Sequence, residues 1–272
     1  MSFSILISVY EKEKPRHLAA CLESLKDEVY GENSEIVLVK DGQLTLELNA
    51  VIEKYRLCED LNLKVYGYEI NRGLGYALNY GLEKCRNELV FRMDSDDICA
   101  KGRIRKQLEV LSDTTIGLVG GQIEEFERNI GDLKAIRSVP LTDSQIKFGQ
   151  FKRNPFNHMT VAFRKTLVKQ AGGYLTMHGY EDYYLWVRLL RHTKAVNLKD
   201  VLVYARTDES FIGRRMGISL FKREVAFQFT LFRDGYTTLL QFVLAFFFRA
   251  IPRLLPKYIV IKLYKSLRKT KW

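Results

Sequence analysis

Phe91-Arg92-Met93-Asp94-Ser95-Asp96-Asp97 ends a short apolar run on three carboxylates. Such groups at the end of a buried strand repel one another and need a counter-charge. A divalent cation supplies one. Mn2+ and Mg2+ take oxygen ligands and bridge one or two carboxylates to phosphate oxygens, as a departing nucleotide diphosphate requires. The plainer alternative is an acidic turn that caps the following helix, because Asp favours free amides and the positive end of the helix dipole.

Upstream of this run, short apolar segments alternate with amphipathic ones. Strands are expected at Ser4–Tyr10, Glu35–Val39, Leu63–Tyr68 and Glu88–Met93, with helices at Arg16–Leu25, Thr45–Tyr55 and Leu74–Cys85 between them. That alternation is α/β, the rhythm of a mostly parallel central sheet flanked by helices. Ligands of such sheets bind beyond the carboxyl ends of the strands. The rule singles out Ser8, Tyr10, Lys40 and Asp41 beside Asp94, Ser95, Asp96 and Asp97. Past a helix at Ile104–Leu111 the pattern loosens into a strand-like Gly117–Phe126, a hairpin to Val139 and a strand at Thr160–Arg164. Without repeats or low-complexity linkers, the chain divides into one domain, 1–234, and a tail, 235–272.

The 272 residues, 47% apolar and 12% aromatic, are enough for a real core, which excludes disorder as the default. The formal charge of +11 raises nucleic acid as a partner, so its distribution matters. From Gly235 onward there is no Asp or Glu, whereas Arg249, Arg253, Lys257, Lys262, Lys265, Arg268, Lys269 and Lys271 are all cationic. Leu239–Phe248 is strongly apolar, but at ten residues it falls short of the roughly 20 that span a bilayer. Pro252 and Pro256 interrupt, and Tyr258–Leu267 mixes apolar residues with Lys. The tail therefore reads as a helical, amphipathic anchor lying in the plane of an anionic membrane. The alternative is a C-terminal helix packed on the domain with a solvated basic face. Cys21, Cys58, Cys85 and Cys99 lack zinc-type spacing and read as reduced thiols. The first residues run straight into a strand pattern without a signal peptide, so a cytoplasmic protein is expected.

Four further stretches carry polar groups to plausible site positions. Val39-Lys40-Asp41-Gly42 ends a strand on a carboxylate and a turn-permitting glycine; Asp41 can accept from a base or ribose, or simply build a turn. Asn71-Arg72-Gly73-Leu74-Gly75 opens a helix and can offer amides and Arg72 to phosphate. It is not a dinucleotide fingerprint, because Leu78 stands where a glycine is required and the stretch follows the third strand. Gly179-Tyr180-Glu181-Asp182 starts an amphipathic helix that continues through Trp186. Acids there suit the dipole whatever the function, but one can also be a general base that deprotonates an attacking hydroxyl. His158 precedes a strand and can touch phosphate, metal or acceptor, although a lone histidine is more often a structural hydrogen-bonding residue.

In order, Ser4–Tyr10, Lys40-Asp41-Gly42, Asn71–Gly81, Asp94-Ser95-Asp96-Asp97 and Glu181-Asp182 with Leu185-Trp186-Val187-Arg188 resemble glycosyltransferase family 2, inverting enzymes of GT-A fold. Asn154–Lys165 and Gly172-Gly173-Tyr174 are similar to the family's O-antigen and capsule transferases. The resemblance covers about the first two hundred residues. It implies a Rossmann-like nucleotide-diphospho-sugar transferase fold, with a nucleotide-binding half at 1–100 and an acceptor-binding half at 101–234. Ser8, Tyr10 and Asp41 then resemble nucleoside contacts, with Asn71, Arg72 and Ser95 nearby. Asp94 and Asp96 look like the Asp-x-Asp pair at ribose and metal, with Asp97 as the other possible ligand of Mn2+ or Mg2+. Asp182, beside Glu181, looks like the base, and His158 and Trp186 are candidates for acceptor or phosphate contacts. Many members have two aspartates where this chain has Lys40-Asp41.

The expected reaction moves one sugar from a nucleotide-sugar, UDP-linked by family habit, to a glycan acceptor. The tail suggests a lipid-linked acceptor, a polyprenyl diphosphate saccharide, reached from the inner face of the cell membrane. A processive synthase would carry spanning helices. A non-catalytic binding module would not need the four carboxylates, and a nucleic-acid-binding protein would leave the apolar run unexplained.

Overall fold

The computed structural model describes residues 1–30, 33–177, 179–207 and 217–255. In chain order the main elements are β1 (Phe3–Val9), α1 (Pro15–Ser24), β2 (Glu35–Asp41), α2 (Leu46–Arg56), β3 (Leu63–Tyr68), α3 (Leu74–Lys84), β4 (Leu89–Asp94) and β5 (Ile98–Cys99). They continue with α4 (Arg103–Leu111), β6 (Ile116–Phe126), β7 (Ala135–Arg137), α5 (Asp143–Gly149), β8 (Ala162–Arg164) and α6 (Lys165–Gln170). The last are α7 (Glu181–Leu189), β9 (Lys194–Arg206), α8 (Ile218–Arg233) and α9 (Leu239–Ala245).

The strands form one nine-stranded sheet in the order β3-β2-β1-β4-β8-β6-β9-β5, with β7 paired to β6. Its first half is parallel, since β1 pairs in parallel with both β2 and β4, and β2 with β3. Beyond β4 the sheet is mixed: β8 runs antiparallel to β4 and β6, while β9 runs parallel to β6. The β6–β7 hairpin expected from sequence is present. The thirteen-residue β9, by contrast, has no clear alternation in the sequence, and its register against β6 shifts around Gln122. Bulges of this kind erase the two-residue period on which strand reading depends.

Alternate residues of the parallel strands serve opposite faces, as expected of strands covered on both sides. Ile5, Ile7, Ile36, Leu38, Phe91 and Met93 pack beneath α1, α2 and α4. Leu6, Val37, Val39 and Val90 pack beneath α3, α6 and α7. Helix α3 lies close to the sheet because residue 81 is glycine: a Cβ there would stand 2.4 Å from Leu6 Cδ1 and 2.7 Å from Val39 Cγ2. Three of the cysteines, Cys21, Cys85 and Cys99, are buried free thiols, while Cys58 is partly exposed beyond α2.

Helix α8 docks on α7 through Phe227 and Leu231 against Tyr183, Tyr184 and Val187. Thr238 and Gln241 form a capping box at the start of α9, which continues through a π turn at Phe246–Ala250 into a 3-10 turn at Ile251–Leu254. Phe242 stacks on Phe232 and Phe246 meets Phe221 edge-on, so one side of this segment is packed on α8. No helix among the described residues is long and apolar enough to cross a membrane. The amphipathic stretch Tyr258–Leu267 lies outside the described residues.

Candidate active site

The in-register parallel strands bring their last residues to one edge. Ser8 lies between Val39 and Asp94 in the ladder, and Asp41 pairs with Tyr68. Ser8 is half-buried and Tyr10, just past β1, is exposed. Asp94, Asp96 and Asp97 offer ligand oxygens that all lie within 4.8 Å of one another. Their crowding has an electrostatic signature. Burial, then Asp94, then Glu13 push the Asp96 carboxyl up to about 7. Burial followed by Asp94 and Asp96 raises Asp97 well above the ordinary range.

The three acids are held differently. Asp94 is paired with Nη2 of the buried Arg92. Asp97 Oδ1 accepts the Arg206 N–H at 2.8 Å, whereas its buried Oδ2 has no partner. Asp96 is half-buried, and its backbone carbonyl accepts from Arg206 Nε at 3.1 Å. Ser95 Oγ donates to Glu13 Oε2 at 2.8 Å, which ties the acidic turn to the loop before α1. Close carboxylates, raised proton affinity and an orphaned buried oxygen together fit a divalent cation. His17 sits 3.6 Å from Glu13, but burial and then Arg206 lower its pKa to about 4, so this contact is not an ion pair at neutral pH.

Asp41 is buried and heavily used. Its carboxylate accepts the Tyr68 hydroxyl at 2.8 Å and the N–H groups of Arg72 and Gly73 at 2.8 and 3.0 Å, while Asn71 Nδ2 donates to its carbonyl at 3.1 Å. It therefore organises the loop that enters α3. Gly42 permits that approach, since a Cβ there would lie 2.7 Å from the Asn71 nitrogen and its φ is +87°. The exposed Arg72 guanidinium lies 4.6 Å from the Tyr76 ring centroid.

From the mixed half, α7 delivers Glu181 and Asp182. Glu181 Oε2 accepts the Gly179 N–H at 2.9 Å, the self-capping role that a first-turn acid can always take. A Cβ at Gly75 would meet Glu181 Cγ at 3.3 Å, so the first turns of α3 and α7 adjoin. Asp182 Oδ2 accepts from Asn154 Nδ2 at 2.7 Å. Burial raises its pKa, opposed by its own helix start, Asn154, Arg92 and Arg137. The charge of Arg92 acts on Asp182 and on all three strand-end acids. Nε and Nη1 of Arg92 are buried and have no hydrogen-bond partner.

Two of the expected site residues take structural roles. Trp186 is fully buried among Phe156, Phe163, His158 and Tyr174, and this correction removes it from any contact with acceptor or phosphate. An amphipathic pattern reveals the inner face of a helix without telling core from cleft. His158 Nε2 lies 3.2 Å from the Tyr174 hydroxyl, and burial together with Arg92 lowers its pKa far enough to keep it neutral. Tyr174 is clamped in turn by Asn79, whose amide donates to its carbonyl and accepts its N–H, both at 2.8 Å. Sequence reasoning gave no role to Arg92, Glu13, Asn154, Tyr174 or Arg206. Asn154 and Tyr174 stood in stretches noted for their resemblance, and Arg92 carried a local signal, a charge inside an apolar strand two residues before an acid.

A parallel nucleotide-type sheet ending in a carboxylate cluster, continued by a mixed half that supplies its own acid, defines the GT-A class of sugar-nucleotide transferases. Residues 4–172 match the family described as Glycosyl transferase family 2, and the chain belongs to that family. It is 43% identical over 269 residues to an uncharacterized glycosyltransferase of Haemophilus influenzae, covering 98% of each chain. It is 36% identical over 266 residues to the UDP-Gal:alpha-D-GlcNAc-diphosphoundecaprenol beta-1,3-galactosyltransferase of Escherichia coli, covering 97% of this chain and 95% of that one. The fold resembles the mannosyltransferase of Pyrobaculum calidifontis solved with GDP-Man and Mn2+, with a TM-score of 0.66, 18% identity, and coverage of 99% of this chain and 81% of that one. The protein is thus a glycosyltransferase.

Proposed function

We propose that the enzyme transfers one sugar, with inversion, from a UDP-sugar to a lipid-linked glycan acceptor, working from the cytoplasmic face of a membrane. The observation that carries this reading is geometric: at the end of the parallel strands Asp94, Asp96 and Asp97 offer ligand oxygens within 4.8 Å of one another, and the first turn of α7, which bears Asp182, adjoins the start of α3. Asp182 is the base. It accepts the acceptor's hydroxyl proton as that oxygen bonds to the anomeric carbon, and the bond to the diphosphate oxygen breaks with its electron pair leaving on the diphosphate. Attack from the face opposite the leaving group gives a β product from an α-linked donor. Desolvation raises Asp182 toward useful basicity, and the Asn154 amide aims the carboxylate.

Asp94 and Asp96 would hold a divalent cation, Mn2+ or Mg2+, which when bound neutralises the charge of the leaving diphosphate. Asp97, whose Oδ1 is fixed by the Arg206 N–H, would add its unpartnered buried Oδ2 to the same cation. Ser8 and Tyr10 lie where a nucleoside would meet the strand ends. Asp41 contributes mainly by holding Arg72 and Gly73, since three accepted bonds leave its carboxylate about one of roughly four lone-pair sites. The E. coli relative is named for a UDP-linked galactose donor and a diphosphoundecaprenol-linked acceptor, which supports the choice of both substrates. Titration calorimetry with UDP, with and without Mn2+ and repeated on Asp96→Ala, tests the reading. Metal-dependent binding lost in the variant upholds it; no binding of UDP or GDP under any condition overturns it.

A further inference from the structure

The segment after α8 has two unlike sides. Inward, Ala245 and Ala250 are buried and Phe242 and Phe246 pack on α8. Outward, Leu240, Val243, Phe247, Phe248, Ile251 and Leu254 are exposed, Phe248 to 76%. All six stay exposed as the segment passes from α-helix through the π turn into the 3-10 turn. No charged residue occurs in Leu239–Phe248. An apolar face of this kind marks an interaction surface.

Beneath it lies a buried ion-pair network. Glu224 of α8, fully buried, accepts from Arg249 Nε at 2.7 Å, Arg253 Nη2 at 3.3 Å, the Tyr180 hydroxyl at 2.8 Å and Gln228 Nε2 at 2.9 Å. Arg249 Nη1 donates to the Tyr183 hydroxyl at 2.9 Å and lies 4.9 Å from that ring's centroid. Tyr180 stacks on Phe227 of α8 with centroids 4.5 Å apart. Tyr180 and Tyr183 bracket Glu181 and Asp182 in the chain, so the segment grips the start of α7 from both sides of the base.

Resting on the transfer reaction read above, we propose that the face formed by Leu240, Val243, Phe247, Phe248, Ile251 and Leu254 docks on an anionic lipid bilayer, and that the Arg249–Glu224–Tyr183 network beneath it makes Arg249 a positioning residue for Asp182. Charge selects the occupant. Arg249 and Arg253 are turned inward onto Glu224, and the six cations that follow in sequence, with no acid among them, complement anionic headgroups. The segment is too short to cross, so it lies in the interface with its aromatic residues toward the acyl boundary. One rigid unit thereby holds both the lipid surface and the base, which sets the base at a fixed height above the headgroups, where a lipid-linked hydroxyl arrives.

The test uses the full-length protein and begins with Mn2+-dependent UDP binding, so that failure of the sugar-nucleotide reading is recognised separately. Flotation is then measured with phosphatidylcholine vesicles with and without phosphatidylglycerol, for wild type and for the double variant Phe247→Glu with Phe248→Glu. Wild type is expected on the anionic vesicles, and the double variant is expected to lose about tenfold or more of its partitioning with unchanged UDP affinity. Equal flotation of the two proteins, or self-association in place of vesicle binding, would overturn the lipid surface. For the positioning role, Arg249→Ala should keep UDP affinity while kcat for a lipid-linked acceptor falls about tenfold and Arg249→Lys recovers part of it. Tyr183→Phe, which removes the hydroxyl alone, serves if Arg249→Ala does not fold. Unchanged kcat in the variant that folds would refute the coupling.

Discussion

The two halves of the sheet are built by different means. The half from β1 to β4 is packed by alternating aliphatic residues sealed by helices on both faces, and buried polar groups such as Ser4, Glu35 and Asp41 sit at or beside the ends of its strands. The half from α4 to β9 is held in large part by buried side chains that bond to backbone. Gln107 Nε2 donates to the carbonyls of Val119 and Thr160 at 3.0 and 2.8 Å. Asn157 Nδ2 donates to Gly121 O at 2.9 Å, and Asn197 Nδ2 to Pro140 O and Pro155 O at 2.6 and 3.0 Å. Arg188 secures the Ala171–Gly173 turn. Irregular backbone can be buried only if such partners satisfy it. The regular half thus offers strand ends in register for a ligand common to the fold, whereas the stapled half can vary its loops around a separately anchored base.

That contrast can be broken most directly at the chemistry. Asp182→Asn should lower transfer by about 10²–10⁴-fold while UDP affinity stays unchanged, because the base belongs to the stapled half and the nucleotide to the regular one. Loss of UDP binding in this variant would mean that the halves do not divide the work. Next in size is stability. Asn197→Ala strands buried carbonyls and should cost about 2–3 kcal/mol in urea unfolding, against about 1 kcal/mol for Ile36→Val in the aliphatic half. Similar losses for both would erase the distinction between the two building principles.

Smaller effects sharpen the comparison through pH. The Asp96 and Asp97 carboxyls have folded pKa values above the unfolded range, so the folded state binds more protons between about 4 and 7, and stability without metal falls as pH rises through that window. Mn2+ should therefore raise Tm more at pH 7.5 than at pH 5, and scanning fluorimetry showing equal increments would contradict the cluster's role. At the other acid, Asn154 donates to the charged form of Asp182, and removing the donor raises its pKa further. Asn154→Ala should accordingly move the acid limb of the kcat profile to higher pH, whereas an unmoved limb would detach Asn154 from the base.

The same contrast governs what could be read from sequence. Ile5, Leu38 and Phe91 announce buried parallel strands because continuous apolar runs bounded by turns have few other uses, and the acids at Asp41 and Asp94–Asp97 follow from where those strands stop. Strand β9 stayed hidden because the register shifts at Gln122 break its alternation. Helix α8 contributes the buried Glu224, a residue whose burial makes sense only with Arg249 and Arg253 opposite it. Trp186 shows the limit within a correctly read helix, since position on an inner face does not say whether a ring meets core or substrate. Glu13 and Arg206 reach the acidic turn from distant segments, and no local spacing links them to it.

The distribution of thiols carries a practical consequence. Burial raises the pKa of Cys21, Cys85 and Cys99, the last to about 11, so these sulfurs stay protonated and shielded from electrophiles. Cys58, partly exposed beyond α2 and across the sheet from α7, is left as the natural attachment point for a maleimide dye. The native chain can therefore carry a single fluorophore away from the acidic edge, and titrations of donor or vesicles can be followed by its emission without engineering a label site.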